Sequence, residues 1–190
     1  MRSIIAVAIA VFVAGPAVAG KPRHLNKPVE ASCISSPFGP RLIPNHPQAG
    51  TYHNGIDLPV PEGTPVHAVA PGTVLRIQRR GPGGLEVLVQ HQGFVAIYSH
   101  LGSVPPLEYG ESITTGEQLG VVGHTGVTYG PHLFFGILQS GRAVDPAPLL
   151  GVPMCKDATE SPAQTLARGG RLPNTRHYLV LDLRLPNEVK

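Results

Sequence analysis

The sequence predicts an all-β domain built as an antiparallel sheet. Glycine and proline are abundant, at 23 and 21 of the 190 residues, and they separate short apolar runs that have the length of strands. Long stretches with helical periodicity are hard to find. Several short strands joined by tight turns are typical of an antiparallel domain.

Six runs are predicted as strands, in the order in which the chain presents them. Turn dipeptides separate some of them, such as Pro71-Gly72 and Gln92-Gly93. The runs are PVHAVA (65–70), TVLRIQRR (73–80), LEVLVQH (85–91), FVAIYSHL (94–101), QLGVVGH (118–124) and HLFFGILQ (132–139).

The chain begins with a pattern typical of a secretory signal peptide. Arg2 precedes the apolar run IIAVAIAVFVAG, and an A-x-A site follows at 17–19. We expect cleavage after Ala19, with removal of 1–19 and export to the periplasm or out of the cell. The alternative is a membrane anchor, but the run is shorter than the roughly 20 residues that cross a bilayer. No later apolar run is long enough to span a bilayer, so we do not expect the chain to be an integral membrane protein.

The rest of the chain divides into three parts. Residues 20–32 are predicted as an irregular lead, 33–151 as the main domain and 152–190 as a C-terminal extension. Near its end, leucines alternate with other residues over 178–185. A period of two predicts a strand at a sheet edge or against a partner chain. The alternative is a frayed tail.

The charge and cysteine content indicate which partners are excluded and whether a disulfide is expected. The formal net charge is only +3, and no block of lysine and arginine suggests a nucleic-acid partner. In an exported chain the two cysteines, Cys33 and Cys155, are expected to form one disulfide that clips the start of the domain to its end. The alternative is two buried free thiols.

Four polar residues at strand positions are candidates for chemistry. His53 and Asp57 are four residues apart in YHNGIDLPV, and in an extended segment they face the same side. An imidazole nitrogen and a carboxylate oxygen on one side can hold zinc, although this spacing is common by chance. His100 ends one predicted strand and His132 begins another, after a glycine-rich segment that allows a tight loop.

Five blocks in order resemble the lysostaphin-type zinc endopeptidases of peptidoglycan. The blocks span most of the chain after the predicted signal peptide, and their order and spacing carry the resemblance. They are SSPFGPR (35–41), HNGIDLPVPEGTPVHAVAPGTV (53–74), IYSHL (97–101), GESITTGEQLGVVGHTGVTYGPHL (110–133) and GRAVDPAPLL (141–150).

The resemblance implies a fold with a long groove, a zinc cofactor and peptide partners. Family members hold zinc through the first-block histidine and aspartate, here His53 and Asp57, and through the second histidine of an H-x-H pair. Water takes the fourth position, where zinc lowers its pKa to about 7. His100 and His132 correspond to the two histidines that act on the water and the transition state. The implied partners are stem or cross-bridge peptides of peptidoglycan.

One position departs from the family pattern. The H-x-H pair reads His132-Leu133-Phe134, so Phe134 stands where the third zinc ligand is expected. A phenyl ring has no lone pair to donate, and it is large enough to fill the space of a metal and its water. Because four ligands contribute roughly 10–16 kcal/mol, losing one costs about 3 kcal/mol. We therefore expect a metal-free or weak site without useful hydrolysis.

Three functional hypotheses follow. The first is a non-catalytic protein that binds peptidoglycan peptides in the groove or regulates another cell-wall hydrolase. The second is an active zinc endopeptidase in which His132 moves onto the metal, or His124 reaches it from the glycine-rich loop. The third is a structural envelope protein whose groove is filled and whose C-terminal strand serves assembly.

Overall fold

The computed structural model describes residues 24–31, 33–41 and 50–156, and these confirm the predicted all-β antiparallel fold. Eleven strands and one short helix are present in this part of the chain. Their bounds are β1 Gly39–Pro40, β2 Tyr52–His53, β3 Gly55–Pro59, β4 Pro65–His67, β5 Gly72–Arg80, β6 Gly84–His91, β7 Phe94–Ser103, β8 Ser112–Ile113, β9 Gln118–Val122, β10 His132–Gln139, β11 Arg142–Val144 and α1 Ala147–Leu150.

Nine of the strands form one sheet, and every pairing in it is antiparallel. The main order is β11-β10-β7-β6-β5-β8, while β3 pairs with β10, and β9 pairs with both β7 and β4. The remaining two strands, β1 and β2, pair with each other. The long strands β5, β6, β7 and β10 therefore lie side by side and form the centre of the sheet.

The two faces of these central strands differ in what covers them. Val87, Val89 and Tyr98 point to the main hydrophobic core, whereas Leu88 and Ile97 point to the opposite face. This alternation is the period of two that a strand imposes. The largest fully buried side chains of the main core include Tyr98, Phe135, Ile34, Ile56, Leu58, Leu101, Leu119, Leu133 and Ile137.

The segment before the domain packs against that core. Leu25, Val29 and Ala31 are buried in the main cluster, although residues 24–31 form no strand. A backbone hydrogen bond from the Leu25 amide to the Leu149 carbonyl joins the two, so the lead lies against the C-terminal end of the fold. The described part of the predicted irregular lead is thus irregular in conformation yet contributes apolar area to the core.

A disulfide joins Cys33 to Cys155 across a sequence separation of 122 residues. Beside it, Ile34 forms a parallel β-bridge with Met154. In the chain-entropy description, closing a loop of this length stabilises the fold by roughly 5 kcal/mol. The first and last segments of the domain are therefore held together both covalently and through the backbone.

Two predicted segments lie outside the described residues. They are the signal peptide, 1–19, and the strand predicted at 178–185. None of the described elements is a helix with the length and apolar composition needed to cross a membrane.

Candidate active-site cleft

One row of five residues crosses the sheet along the floor of a cleft. Backbone pairing places Gln78 of β5 opposite Glu86 of β6. Two strands further, Phe134 of β10 lies between Ser99 of β7 and Asp57 of β3. Directly opposed residues of antiparallel strands present their side chains on the same face. These five residues, here called the cleft row, all line a cleft of about 430 Å³.

Apolar side chains cover the floor of the cleft beside the row. Leu88, Ile97 and Leu138 also line it, because each lies an even number of residues along its strand from a member of the row. Together with Phe134 they belong to a small apolar cluster separate from the main core. The cleft therefore combines polar groups along the row with an apolar surface next to it.

Asp57 is surrounded by cationic and potentially cationic groups. Its Oδ1 lies 3.1 Å from His53 Nε2 and 3.5 Å from His132 Nε2, and its Oδ2 lies 3.4 Å from Arg41 Nη1. Burial is the largest single influence and raises the pKa of Asp57. The hydrogen bond with His53 and the charges of the three neighbours outweigh burial, so the pKa of Asp57 lies below its usual value.

The backbone around Asp57 explains why these groups meet. Ser36 and Asp57 form an antiparallel β-bridge, which brings the segment that begins at Cys33 alongside β3. Arg41 Nη1 also donates a hydrogen bond to Ser36 Oγ over 3.0 Å. The SSPFGPR block thus positions the guanidinium over Asp57, a contact that the spacing of the histidines alone does not reveal.

Backbone carbonyls fix the orientation of all three histidine rings. Nδ1 of His53 lies 3.0 Å from the carbonyl oxygen of Pro37, and Nδ1 of His132 lies 2.8 Å from that of Gly130. Nδ1 of His100 lies 2.9 Å from the carbonyl oxygen of a threonine in the glycine-rich loop. A carbonyl only accepts, so Nδ1 must donate in each pair. In neutral His100, Nε2 is therefore the acceptor nitrogen, whereas Nε2 of His53 and of His132 faces the Asp57 carboxylate, which itself only accepts.

A β-bulge brings His100 to the cleft. Leu85 pairs with Leu101 while Val87 pairs with Tyr98, so two residues of β7 oppose Glu86 alone. His100 has a φ of 65°, and its ring centroid lies 4.8 Å from that of His132. Simple alternation would direct the His100 side chain toward the core. The bulge and the left-handed backbone turn it toward the cleft instead.

Burial also sets the ionisation of His100. It lowers the pKa of His100 to about 4, although the hydrogen bond to the Thr125 carbonyl acts in the opposite direction. The neighbouring His132 lowers this pKa further when it is charged. At neutral pH, His100 is therefore an uncharged ring with an acceptor nitrogen.

Phe134 fits between two glycines. A Cβ on Gly55 would lie 2.7 Å from Phe134 Cζ, and one on Gly136 would lie 3.1 Å from Cε1. The ring therefore lies over a strip of backbone without side chains. Its centroid is 5.3 Å from that of His53 and 6.2 Å from that of His100. Phe134 is thus on the same face as Asp57, as the period of two predicts.

The residues present do not make a zinc site of the family's kind. Such a site needs three protein ligands with lone pairs, and Phe134 offers none. His132 Nε2 approaches Asp57, yet in the described part of the chain no three His, Cys, Asp or Glu side chains form a group able to hold a metal ion. His53 and Asp57 remain as two donors of a three-ligand set.

The predicted substitute ligand, His124, is not brought to the site. Its side chain is exposed, and it is not among the residues that line the cleft. Its neighbour Thr125 instead holds the glycine-rich loop against the sheet. Thr125 Oγ1 donates to the Leu101 carbonyl and accepts from the Leu85 amide, each over 2.8 Å.

The far end of the cleft row contains a polar group that the sequence analysis missed. Ser99 Oγ donates a hydrogen bond to Glu86 Oε1 over 2.7 Å, and Gln78 Nε2 donates one to Glu86 Oε2 over 2.6 Å. The available signal was the period of two, which places Glu86 on the same face as Leu88. Counting from the Gln92-Gly93 turn, with His91 opposite Phe94 and Val87 opposite Tyr98, the next position puts Ser99 opposite Glu86, so the hairpin register was a second signal.

Comparison with known proteins identifies the family. The sequence profile described as peptidase family M23 matches residues 51–146, about half of the chain. The DD-carboxypeptidase/endopeptidase Mpg of Neisseria meningitidis is 38% identical over 123 residues, covering 63% of this chain and 27% of Mpg. The peptidoglycan DD-endopeptidase ShyA of Vibrio cholerae is 32% identical over 136 residues, covering 71% of this chain and 30% of ShyA. The chain thus spans about a quarter of the length of the curated relatives it matches.

The fold agrees with this assignment. The catalytic domain of the antimicrobial peptidase lysostaphin from Staphylococcus simulans superposes with a TM-score of 0.56 at 27% identity. The match covers 62% of this chain and 91% of that domain. The resemblance to lysostaphin-type peptidases is therefore confirmed, and the chain belongs to peptidase family M23.

Proposed function

We propose that this chain is an exported cell-envelope protein whose M23 cleft binds peptidoglycan peptides without cleaving them. The observation that carries the proposal is Phe134 in the cleft row, opposite Asp57, where the family's third zinc ligand is expected. Without a donor at position 134, we expect His53 and Asp57 to bind zinc about a hundredfold or more weaker than the family's three-ligand site does.

Peptide binding does not require the metal. The cleft is open, with a volume of about 430 Å³, and it offers hydrogen-bonding groups beside an apolar floor. ShyA and similar relatives are named for action on peptidoglycan, which indicates the chemical class of the ligand. His100 keeps an acceptor nitrogen that can bind a peptide amide in place of its catalytic use.

Metal content is the first test. We expect protein purified without added zinc to contain less than about 0.1 zinc per chain by mass spectrometry of the metal. One tightly held zinc per chain would overturn the proposal, because two donors do not provide such affinity.

The Phe134→His variant tests whether only the ligand is missing. We expect zinc affinity to rise by at least about a hundredfold, because the variant restores a third imidazole donor. Phe134→Leu is the matched control, since it removes the ring without adding a lone pair. Equal zinc affinity in both variants would show that the remaining residues are not arranged as ligands.

Hydrolysis and binding are then separated with purified sacculi. We expect wild type to be retained by sacculi without releasing peptides from them. Release that a chelator stops would establish the enzyme hypothesis instead. Absence from sacculi, together with recovery of a cell-wall hydrolase on the immobilised protein, would favour the regulatory hypothesis.

One observation favours the active enzyme as a second candidate. His132 Nε2 lies 3.5 Å from Asp57 Oδ1, so a small shift of this ring would bring a third donor toward His53 and Asp57. In that case wild type binds zinc, and His132→Ala loses it while His124→Ala does not. Absence of zinc from wild type removes this candidate.

Export is tested on the mature chain. We expect protein recovered from the periplasm or the medium to begin at Gly20, as cleavage after Ala19 requires. An intact amino terminus in a membrane fraction would favour the anchor instead.

A further inference from the structure

We propose that the Glu86 end of the cleft row binds a primary ammonium group of the ligand. The inference deepens the proposed function and rests on it, because it concerns the same cleft. An amine at one position of the bound peptide would then determine which peptides the cleft prefers.

The first support is the way in which the Glu86 carboxylate is held. Each of its oxygens accepts one short hydrogen bond from a neutral donor, at 2.7 Å from Ser99 Oγ and 2.6 Å from Gln78 Nε2. A carboxylate has about four acceptor positions, so two remain for a ligand. The two neutral donors fix the group in place and leave its charge unbalanced.

The second support is the absence of a protein cation beside this carboxylate. Within residues 24–31, 33–41 and 50–156, no lysine, arginine or histidine forms a salt bridge with Glu86. Arg80 lines the same cleft on the same strand as Gln78, yet it is not within salt-bridge distance. A fixed negative charge in a partly enclosed cleft attracts a cation more strongly than one in open water.

The surroundings favour an ammonium on an alkyl chain. Leu88 is two residues from Glu86 on β6, and Ile97 is two residues from Ser99 on β7, and both line the cleft. A lysine-like side chain places methylene groups on such a surface and its charged end on the carboxylate. An ammonium also brings three donors and no acceptor, which matches the free acceptor positions of Glu86.

The length of the row indicates where this amine lies in the ligand. Glu86 and Asp57 are on strands three pairings apart, which corresponds to roughly 14 Å. An extended peptide of about four residues spans that distance. The ligand is therefore a short peptide with a diamino acid near one end, as peptidoglycan stem peptides contain, or with its free amino terminus at that place.

Calorimetric titration of the mature protein with synthetic peptides tests the proposal. The probe is a stem tetrapeptide with lysine as its third residue, in a free form, an Nε-acetylated form and an Nα-acetylated form. The proteins are wild type, Glu86→Gln, which keeps the size and one acceptor oxygen, and Glu62→Gln as a control on an exposed carboxylate.

We expect Nε-acetylation to weaken binding to wild type by about tenfold, because it removes the charge and two donors. Glu86→Gln should bind the free peptide about tenfold more weakly, and acetylation should weaken it no further. Glu62→Gln should behave as wild type. If Nα-acetylation gives the Glu86-dependent loss instead, the ammonium is that of the amino terminus, and the proposal holds.

Two results overturn the inference. One is equal binding of the free peptide by wild type and Glu86→Gln. The other is the same loss on acetylation in both proteins. Retention on sacculi is measured in parallel, so that retention with either result overturns only this inference. Lack of retention together with lack of peptide binding overturns the proposed function as well.

Discussion

The carboxylates at the two ends of the cleft row, Asp57 and Glu86, have different surroundings. Asp57 has Arg41, His53 and His132 within 3.5 Å, so its charge is balanced inside the protein. At the other end, the side chains that donate hydrogen bonds to Glu86 within the described part of the chain are the neutral Ser99 and Gln78. Ser99 of β7 and Phe134 of β10 lie between these two environments. The Asp57 charge interacts with groups of the protein itself, whereas we propose that the Glu86 charge interacts with an ammonium group of a ligand.

Under the proposed function, this difference explains how the cleft binds a peptide without the third metal ligand. The groups around Asp57 hold one another in place through charge and through backbone carbonyls, so the end stays organised with two donors only. The Glu86 end is independent of those donors because its partners belong to β5 and β7. The proposed ammonium site and the incomplete zinc site therefore use separate parts of the same floor.

The largest expected effect on stability comes from Asp57→Asn. Removing this charge leaves the Arg41 guanidinium without the carboxylate that it contacts in a mostly buried setting, which costs about 3 kcal/mol. Urea denaturation at pH 7 measures the loss in the free energy of unfolding. Glu62→Gln is the control, because its carboxylate is exposed. A loss below about 1 kcal/mol would show that the guanidinium does not depend on Asp57.

A pH dependence at the Asp57 end follows from His100. Its pKa is lowered by burial to about 4 in the folded protein and has its ordinary value of 6.5 when unfolded. Between these values the unfolded chain binds more protons, so folding is favoured as pH rises. The contribution is complete above pH 6.5, is lost as pH falls to about 4, and is on the order of 3 kcal/mol.

Comparison with a variant isolates that contribution. His91, which is buried away from the cleft, also has a pKa lowered by burial, so wild type loses stability in acid for a second reason. His100→Gln keeps His91 and removes only the titration at the cleft. We expect its unfolding free energy to fall less steeply than that of wild type between pH 6.5 and 4. Parallel curves would contradict the assignment to His100.

Sequence reasoning succeeded where a long run or a simple period decided the structure. The predicted run 132–139 coincides with β10, and 85–91 differs from β6 by one residue, because both are long apolar stretches. The same period placed His53 beside Asp57 and put Phe134 on the cleft face. Strands of two or three residues, such as Gly39–Pro40 and Arg142–Val144, contain too few residues to show a period and were not predicted.

The cleft was harder to predict because its geometry depends on non-local pairing. Alternation from Tyr98 would direct His100 to the core, and only the bulge opposite Glu86 brings it to the cleft. Ser99, by contrast, falls opposite Glu86 in the regular register counted from the Gln92-Gly93 turn, and its hydroxyl contacts that carboxylate. His124 attracted attention as a histidine in a glycine-rich loop, yet the loop leaves it exposed. Identity of a residue type was a weaker guide than its partner strand.

The smallest expected effect on stability comes from Glu86→Gln. Among the described residues no cation forms a salt bridge with Glu86, and glutamine still offers an oxygen to Ser99 or Gln78, so the free energy of unfolding should change by about 1 kcal/mol or less. Asp57→Asn, measured in the same urea series, should lose about three times as much. A loss equal to that of Asp57→Asn would show that the Glu86 charge stabilises the folded sheet. A small loss, combined with weaker binding of the amine-bearing peptide, is what a charge kept for a ligand predicts.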